Sequence, residues 1–226
     1  MEKLVYALLW ASSFAPRELA DELLARGARR VALNVADAHV AAKAAARIAR
    51  VEPVVGAVAS FWLDDVDARA PLESALARRA QRIAGYSVLE SVALANTRRR
   101  AAPGERTPGV NMVACISAAP GVSREAFLGH WLERHRAVAL ETQATYAYVR
   151  NVVVRALTPD APAWDGIVEE GFPEEAVGDP MRWYRAESPE QLKQRMERML
   201  ASCRAFLDLA RVESHPLSEY VFGESD

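Results

Sequence analysis

One pattern constrains this chain more than any other, because it occurs twice. Residues 3–10 form an apolar run of strand length, and a helical stretch follows over 16–26. Pro16 stands in the first turn, where its missing N–H costs nothing, and Gly27 is placed to end the helix. Apolar runs at 31–35 and 54–63 read as strands, 71–84 as a helix opened by Pro71 and closed by Gly85, and 86–94 as a fourth strand. An Ala-rich, helix-prone stretch at 37–50, with Asp37 as its cap, is an insert. Without it the order is β-α-β-β-α-β, the split unit of ferredoxin-like folds. The order then restarts, with a strand at 110–118, a helix at 123–135, strands at 146–157 and 166–172, a helix at 189–206 and a strand at 210–221. Pro216 lies inside the last run and predicts an edge or a bulge there.

Between the repeats, residues 96–109 hold Arg98, Arg99 and Arg100, then Pro103-Gly104 and Pro108-Gly109, which is linker chemistry. The expected organisation is a degenerate half at 1–95, a linker at 96–109 and a second half at 110–226. Either half alone would leave one sheet face bare, so the two are expected to pack on each other. A net charge of −2 gives no electrostatic case for nucleic acid or an anionic membrane. The two cysteines, Cys115 and Cys203, argue against a disulfide framework or a zinc site and fit a reducing, cytoplasmic setting. The apolar run after Lys3 is too short to span a bilayer, and Glu2 cancels the charge a signal segment would need. The abundance of Ala and Arg points to a GC-rich bacterial source.

The most informative stretch is 120–135. Pro120-Gly121 breaks the preceding run, Ser123 is placed to cap a helix, and Phe127, Trp131 and His135 recur every four residues on one face. Gly121-Val122-Ser123-Arg124-Glu125-Ala126-Phe127 with Trp131 and His135 resembles the opening helix of EthD-domain proteins. Tyr148-Val149-Arg150-Asn151, Asp165-Gly166-Ile167-Val168-Glu169 with Phe172, and Val212-Glu213-Ser214-His215 extend the likeness over about 110–222. That family belongs to the dimeric α+β barrel superfamily. The resemblance therefore implies an α+β fold in which two fused ferredoxin-like units form an intramolecular barrel, a monomeric pseudo-dimer or a homodimer of it. It also implies a role in catabolism or secondary metabolism, and the same superfamily hosts cofactor-free monooxygenases.

Aligning the halves places Trp131 opposite Leu23, His135 opposite Gly27, Glu169 opposite Ala59 and His215 opposite Val92. Reactive groups in one half thus meet small or apolar residues in the other, which predicts one site per chain, in the C-terminal half. His135 is the first candidate for acid–base catalysis, since imidazole titrates near neutrality; the bland alternative is a helix-end ring facing carbonyls. Glu169, if it faces inward, would be a proton carrier with a raised pKa; alternatively it faces outward or pairs with Arg150 or Arg155. His215 shares a strand face with Glu213, or is edge chemistry before Pro216. Asn151 would donate to a substrate carbonyl or hold a loop. Trp131, Tyr148, Trp62, Trp164 and Trp183 are candidate pocket walls for a small aromatic ligand, or simply core. Dinucleotide and phosphate loops, a nucleophile elbow and a His-Glu-x-x-His motif are missing from the sequence, so neither cofactor nor metal is expected. The reading is a cofactor-independent lyase, a dehydratase or decarboxylase acting on a small aromatic, hydroxylated or polyketide-like acid. The alternatives are a cofactor-free monooxygenase and a ligand-binding accessory protein.

Overall fold

Both successions of elements are present in the computed structural model, which describes residues 1–223. The first holds β1 (Glu2–Ala11), α1 (Pro16–Ala25), β2 (Arg30–Val35), β3 (Val55–Leu63), α2 (Ala70–Ala77) and β4 (Ala80–Leu94). The second opens with β5 (Val110–Ile116) and a continuous helical segment. That segment is α3 (Arg124–Gly129), a π turn (His130–His135) and α4 (Arg136–Thr142). β6 (Ala147–Ala156), β7 (Gly166–Phe172), α5 (Pro180–Trp183), α6 (Pro189–Arg204) and β8 (Glu213–Gly223) complete it. The fold is α+β. All eight strands pair antiparallel and close into a barrel in the order β1-β3-β2-β8-β5-β7-β6-β4. Each half runs fourth, first, third, second, and the halves join where β2 meets β8 and β6 meets β4.

Closure buries both faces of most strands. Val5, Ala7, Tyr86, Val113, Cys115 and Leu217 fill the barrel interior. Outside, α1 and α2 cover the N-terminal strands through Leu19, Leu23 and Leu72 against Tyr6 and Phe61. The second helical layer covers the C-terminal strands through Phe127, Trp131, Met199 and Phe206. Burial on two sides explains why the strands read as continuous apolar runs rather than alternating ones.

The structure corrects several expectations. Only a 3₁₀ turn, Ala41–Ala46, forms within 37–50. There Asp37 spends its carboxylate on Ser218 Oγ (2.8 Å) and the Tyr220 hydroxyl (2.7 Å), and Ile48 bridges to Ser214. These tethers hold the segment across β8 and override its helix propensity. α2 stops at Ala77 because β1 continues to Ala11, which pairs with Ala80 and draws β4 back toward the N-terminus. Gly85 is consequently a strand residue under the Tyr6 ring, where a Cβ would lie 2.2 Å from Cε1. Ser123 caps α3 as expected, accepting from Ala126 N–H, but the helix continues to Thr142. His135 therefore sits in mid-helix, and the helix-end reading falls. Pro216 lies within a paired strand opposite Met112. β2 pairs with β8 only from Ser218 onward, so the flank of Pro216 facing β2 has no ladder for a missing N–H to break.

Strand pairing also resets the alignment of the halves. Val5 pairs with Ser60 and Tyr86, and Val113 pairs with Glu169 and His215. Glu169 thus answers to Ser60, not Ala59, and His215 to Tyr86, not Val92. The slip is one residue for Glu169, which matters because neighbouring strand residues face opposite ways, and six for His215.

Candidate active site

The sheet divides the expected site residues between two compartments. Glu169, Asn151, His215, Trp62 and Trp164 lie in the barrel interior. His135, Trp131 and Tyr148 lie between the C-terminal strands and their helices. Trp183 is in neither: its ring stacks on Phe172 at 3.8 Å and anchors α5.

Inside the barrel, Glu169 is an anion locked in place. Lys3 Nζ donates to its Oε1 at 2.9 Å, Asn151 Nδ2 to Oε1 at 2.9 Å and Asn34 Nδ2 to Oε2 at 3.1 Å. Burial opposes its ionisation, but the Lys3 charge and these hydrogen bonds hold the carboxyl below its ordinary range. The expected raised pKa is thus reversed. The partner is Lys3 from the other half, rather than Arg150 or Arg155. Lys3 also donates to Glu90 at 2.7 Å and lies 4.9 Å from the Trp62 ring centre. Asn151 is held by Glu169 and by the Ile167 carbonyl. His215 Nε2 lies 3.0 Å from Glu213 Oε2, both fully buried. Glu213 Oε1 in turn accepts the backbone N–H groups of Arg50 (2.7 Å) and Val51 (2.8 Å). The pair therefore pins the loop before β3 to the barrel end. Burial holds His215 at about 4, so it is neutral there at pH 7. Trp164 tilts against Tyr86 with ring centres 5.4 Å apart and caps the same core.

The outer compartment holds titratable groups with shifted pKa values. His135 Nδ1 lies 2.9 Å from Ser202 Oγ, and burial, with His130 and Arg150 nearby, pushes the ring down to about 4. It is neutral at pH 7 and can accept a proton. Tyr148, on the same strand as Arg150, is buried, and burial with Glu170 beside it raises its hydroxyl well above the usual tyrosine range. The Arg150 guanidinium sits 5.6 Å from the Tyr148 ring centre and donates to the Leu132 carbonyl and to Ser91 Oγ. Trp131 roofs the layer so closely over Gly166 that a Cβ there would come within 2.4 Å of the indole.

Glu170 is the residue that sequence reasoning missed. It pairs with Tyr148 across the ladder, and its Oε1 is shielded from solvent with no hydrogen-bond partner among the described residues. Burial pushes its carboxyl up to about 8 against a lowering contribution from Thr145. Its charge is felt by Cys203 of α6, which burial and Glu170 raise to about 11. A signal was present: Glu169-Glu170 sits in an otherwise apolar strand. In a strand buried on both faces, two adjacent acids must enter two different compartments. Pairwise neighbours thus link His135 to Ser202 and Arg150, Arg150 to Tyr148, Tyr148 to Glu170, and Glu170 to Cys203. The matching layer of the N-terminal half is built on Leu19, Leu23 and Leu72, with Tyr6 donating to Glu73 at 2.7 Å beside Arg69 and Tyr220 donating to Asp37 at 2.7 Å.

A cavity of about 500 Å³ opens at the barrel end, walled by Arg30, Asn96, Arg100, Thr107, Glu219 and Glu90, the second acceptor of Lys3. Part of the expected linker forms this wall, tied to β8 by Gly104 and Thr107 N–H groups. None of the expected site residues lines it.

Residues 119–198 match the EthD domain. The EthD segment contains Trp131, His135, Tyr148 and Glu170, whereas Ser202 and Cys203 follow it. No curated protein matches the chain. Among solved structures, an anthrone oxidase-like protein is similar with a TM-score of 0.53 at 12% identity, over 99% of this chain and 94% of that one. A candidate monooxygenase from Lactobacillus acidophilus gives 0.50 at 9% identity, over 98% and 96%. Another from Fusobacterium nucleatum gives 0.50 at 7% identity, over 99% and 94%. At these identities the likeness is one of fold. Among the described residues no helix is long and apolar enough to cross a membrane, and no three acidic, His or Cys side chains are grouped to hold a metal ion.

Proposed function

We propose that this chain is an enzyme that acts by proton transfer on a small aromatic, hydroxylated or polyketide-like acid, in the layer between α6 and the C-terminal strands. The observation that carries the reading is a pair of inverted pKa values. Burial holds His135 at about 4 and Glu170 at about 8. At pH 7 the imidazole is then the free base and the carboxyl the acid, the division of labour that acid–base catalysis needs. In a dehydration, His135 takes a C–H proton, the electron pair forms the C=C bond, and Glu170 protonates the departing hydroxyl, which leaves as water. Tyr148 and Arg150 orient the acid, and Trp131 forms the roof that excludes solvent. Glu169, Asn151 and His215 serve the barrel rather than the chemistry.

A monooxygenase is the second reading, supported by the names of the similar structures. The same base would generate a substrate carbanion that reduces O₂; an activated CH₂ becomes a carbonyl, and the second oxygen atom leaves as water. We also propose that 1–95 and 110–226 are fused ferredoxin-like units joined by 96–109. The repeated strand order around the barrel supports this.

The test is a thermal-shift screen of aromatic and hydroxy acids on wild type, His135→Ala and Glu170→Gln, followed by product analysis with and without oxygen. A ligand that stabilises all three but is converted by wild type alone supports the enzyme reading. Turnover without oxygen then selects the lyase, and stoichiometric oxygen uptake selects the monooxygenase. Binding without conversion under either condition replaces both with an accessory binding protein.

A further inference from the structure

Two residues five apart do not share a face of an α-helix: at 3.6 residues per turn they diverge by about 140°. His130 and His135 nonetheless converge on one atom, Ser202 Oγ of α6, at 3.3 and 2.9 Å. The π turn explains the convergence, because its i→i+5 bonding brings residues five apart into line. Phe206 packs against both rings, with centres 5.1 Å from each. His135 is the more deeply buried of the two rings, and His130 is the less shielded from solvent.

A serine hydroxyl has one proton to give. Bridging two neutral imidazoles, it donates to one ring and accepts from the other. If His135 Nδ1–H donates to Ser202, the Ser202 hydroxyl donates to His130 Nε2, and both rings carry their proton on Nδ1. In the reverse state both carry it on Nε2.

We propose that His130, Ser202 and His135 form a proton relay between the buried His135 ring and solvent. The inference rests on His135 being the catalytic base, with Ser202 and His130 as positioning residues. When His135 Nε2 takes a substrate proton, its Nδ1 proton passes to Ser202 Oγ as the Ser202 proton passes to His130 Nε2. His130 then releases its Nδ1 proton to water. One proton enters, one leaves, and His135 is left with Nε2–H, ready to act as an acid. Return of that proton to the Glu170 carboxylate, which ionised on protonating the leaving group, runs the relay backward and restores both base and acid. The charged groups facing the rings are Arg134 beside His130 and Arg150 beside His135. Both disfavour imidazolium, so a proton arriving on either ring is passed on rather than stored.

The test starts with the resting protein. The chain has four histidines, so long-range ¹H–¹⁵N spectra at pH 7 can assign each ring's tautomer. The relay requires His130 and His135 to share one tautomer in wild type and in Ser202→Thr, and to lose that coupling in Ser202→Ala. Opposite tautomers in wild type, or spectra unchanged in folded Ser202→Ala, overturn it. On any converted substrate, Ser202→Ala and His130→Gln should lower kcat by about 10-fold or more at unchanged KM, with partial rescue by added imidazole. A loss that imidazole does not rescue, or a change confined to KM, overturns the relay. Coupled tautomers in a protein that converts no substrate would uphold the relay's geometry while removing the proposed function.

Discussion

Glu170 makes a prediction about stability that needs no substrate. Its carboxyl, ordinarily near 4.5, is held at about 8 by burial. The folded chain therefore keeps it neutral at pH 7 while the unfolded chain ionises it. For an acid raised in this way, stability is lost as pH rises above 4.5, and the loss is complete once pH exceeds the folded value. At about 1.36 kcal/mol per pH interval, the cost is about 3 kcal/mol at pH 7 and about 5 kcal/mol above pH 8. Glu170→Gln keeps the shape and cannot ionise. Its stability should equal wild type below pH 4.5 and exceed it by those amounts at pH 7 and above. Urea unfolding read by tryptophan fluorescence from pH 4.5 to 8.5 measures the difference; with a slope near 3 kcal/mol/M, the midpoint at pH 7 should move up by about 1 M. Parallel curves for the two proteins across that range would refute the argument that this carboxyl is buried and neutral.

The remaining predictions concern other parts of the molecule. Lys3→Met leaves Glu169 as an unpaired buried anion and should destabilise by about 3–5 kcal/mol, with most of the loss recovered in Lys3→Met/Glu169→Gln; a single variant as stable as wild type would contradict the pairing. Since Lys3 and its neighbours hold Glu169 below its ordinary value, that stabilisation is present above pH 4.5 and fades as pH falls below it, which acid titration of wild type against the double variant measures. Gly166→Ala drives a Cβ into Trp131 and should destabilise by about 1–3 kcal/mol, read as a lowered Tm; an unchanged melting curve would mean the roof is not seated there. If His135 and Glu170 are base and acid, kcat/KM should fall below about pH 4 and above about pH 8. Loss of the alkaline limb in Glu170→Gln would fit the assignment, and an identical profile in that variant would reject it.

Much of the architecture was legible because strand and helix periodicities are local. The order of elements, the Ser123 cap, the bounds of β7 and the concentration of reactive groups in the C-terminal half all follow from neighbouring residues. Boundaries failed where a distant partner intervened. Ala11 drew β4 back to Ala80, and β8 held 37–50 out of a helix. The grouping of the candidate residues was not legible: one pocket was expected for His135, Trp131 and Tyr148 together with Glu169, Asn151, His215, Trp62 and Trp164, and the sheet puts the first three in the outer layer and the other five in the barrel.

The sequence by itself determined that one order of strands and helices occurs twice, and that the histidines and carboxylates set among apolar residues are concentrated in the second occurrence. Only the tertiary structure decided which of two adjacent carboxylates would be the anion and which the acid. Glu169 and Glu170 have the same side chain and the same strand. One turns inward to Lys3, contributed from 166 residues away, and is ionised. The other turns outward beneath α6, keeps an oxygen without a partner among the described residues, and is neutral at pH 7. Charge in a protein interior is set by desolvation and by the nearest counter-charge, and both depend on residues distant in sequence.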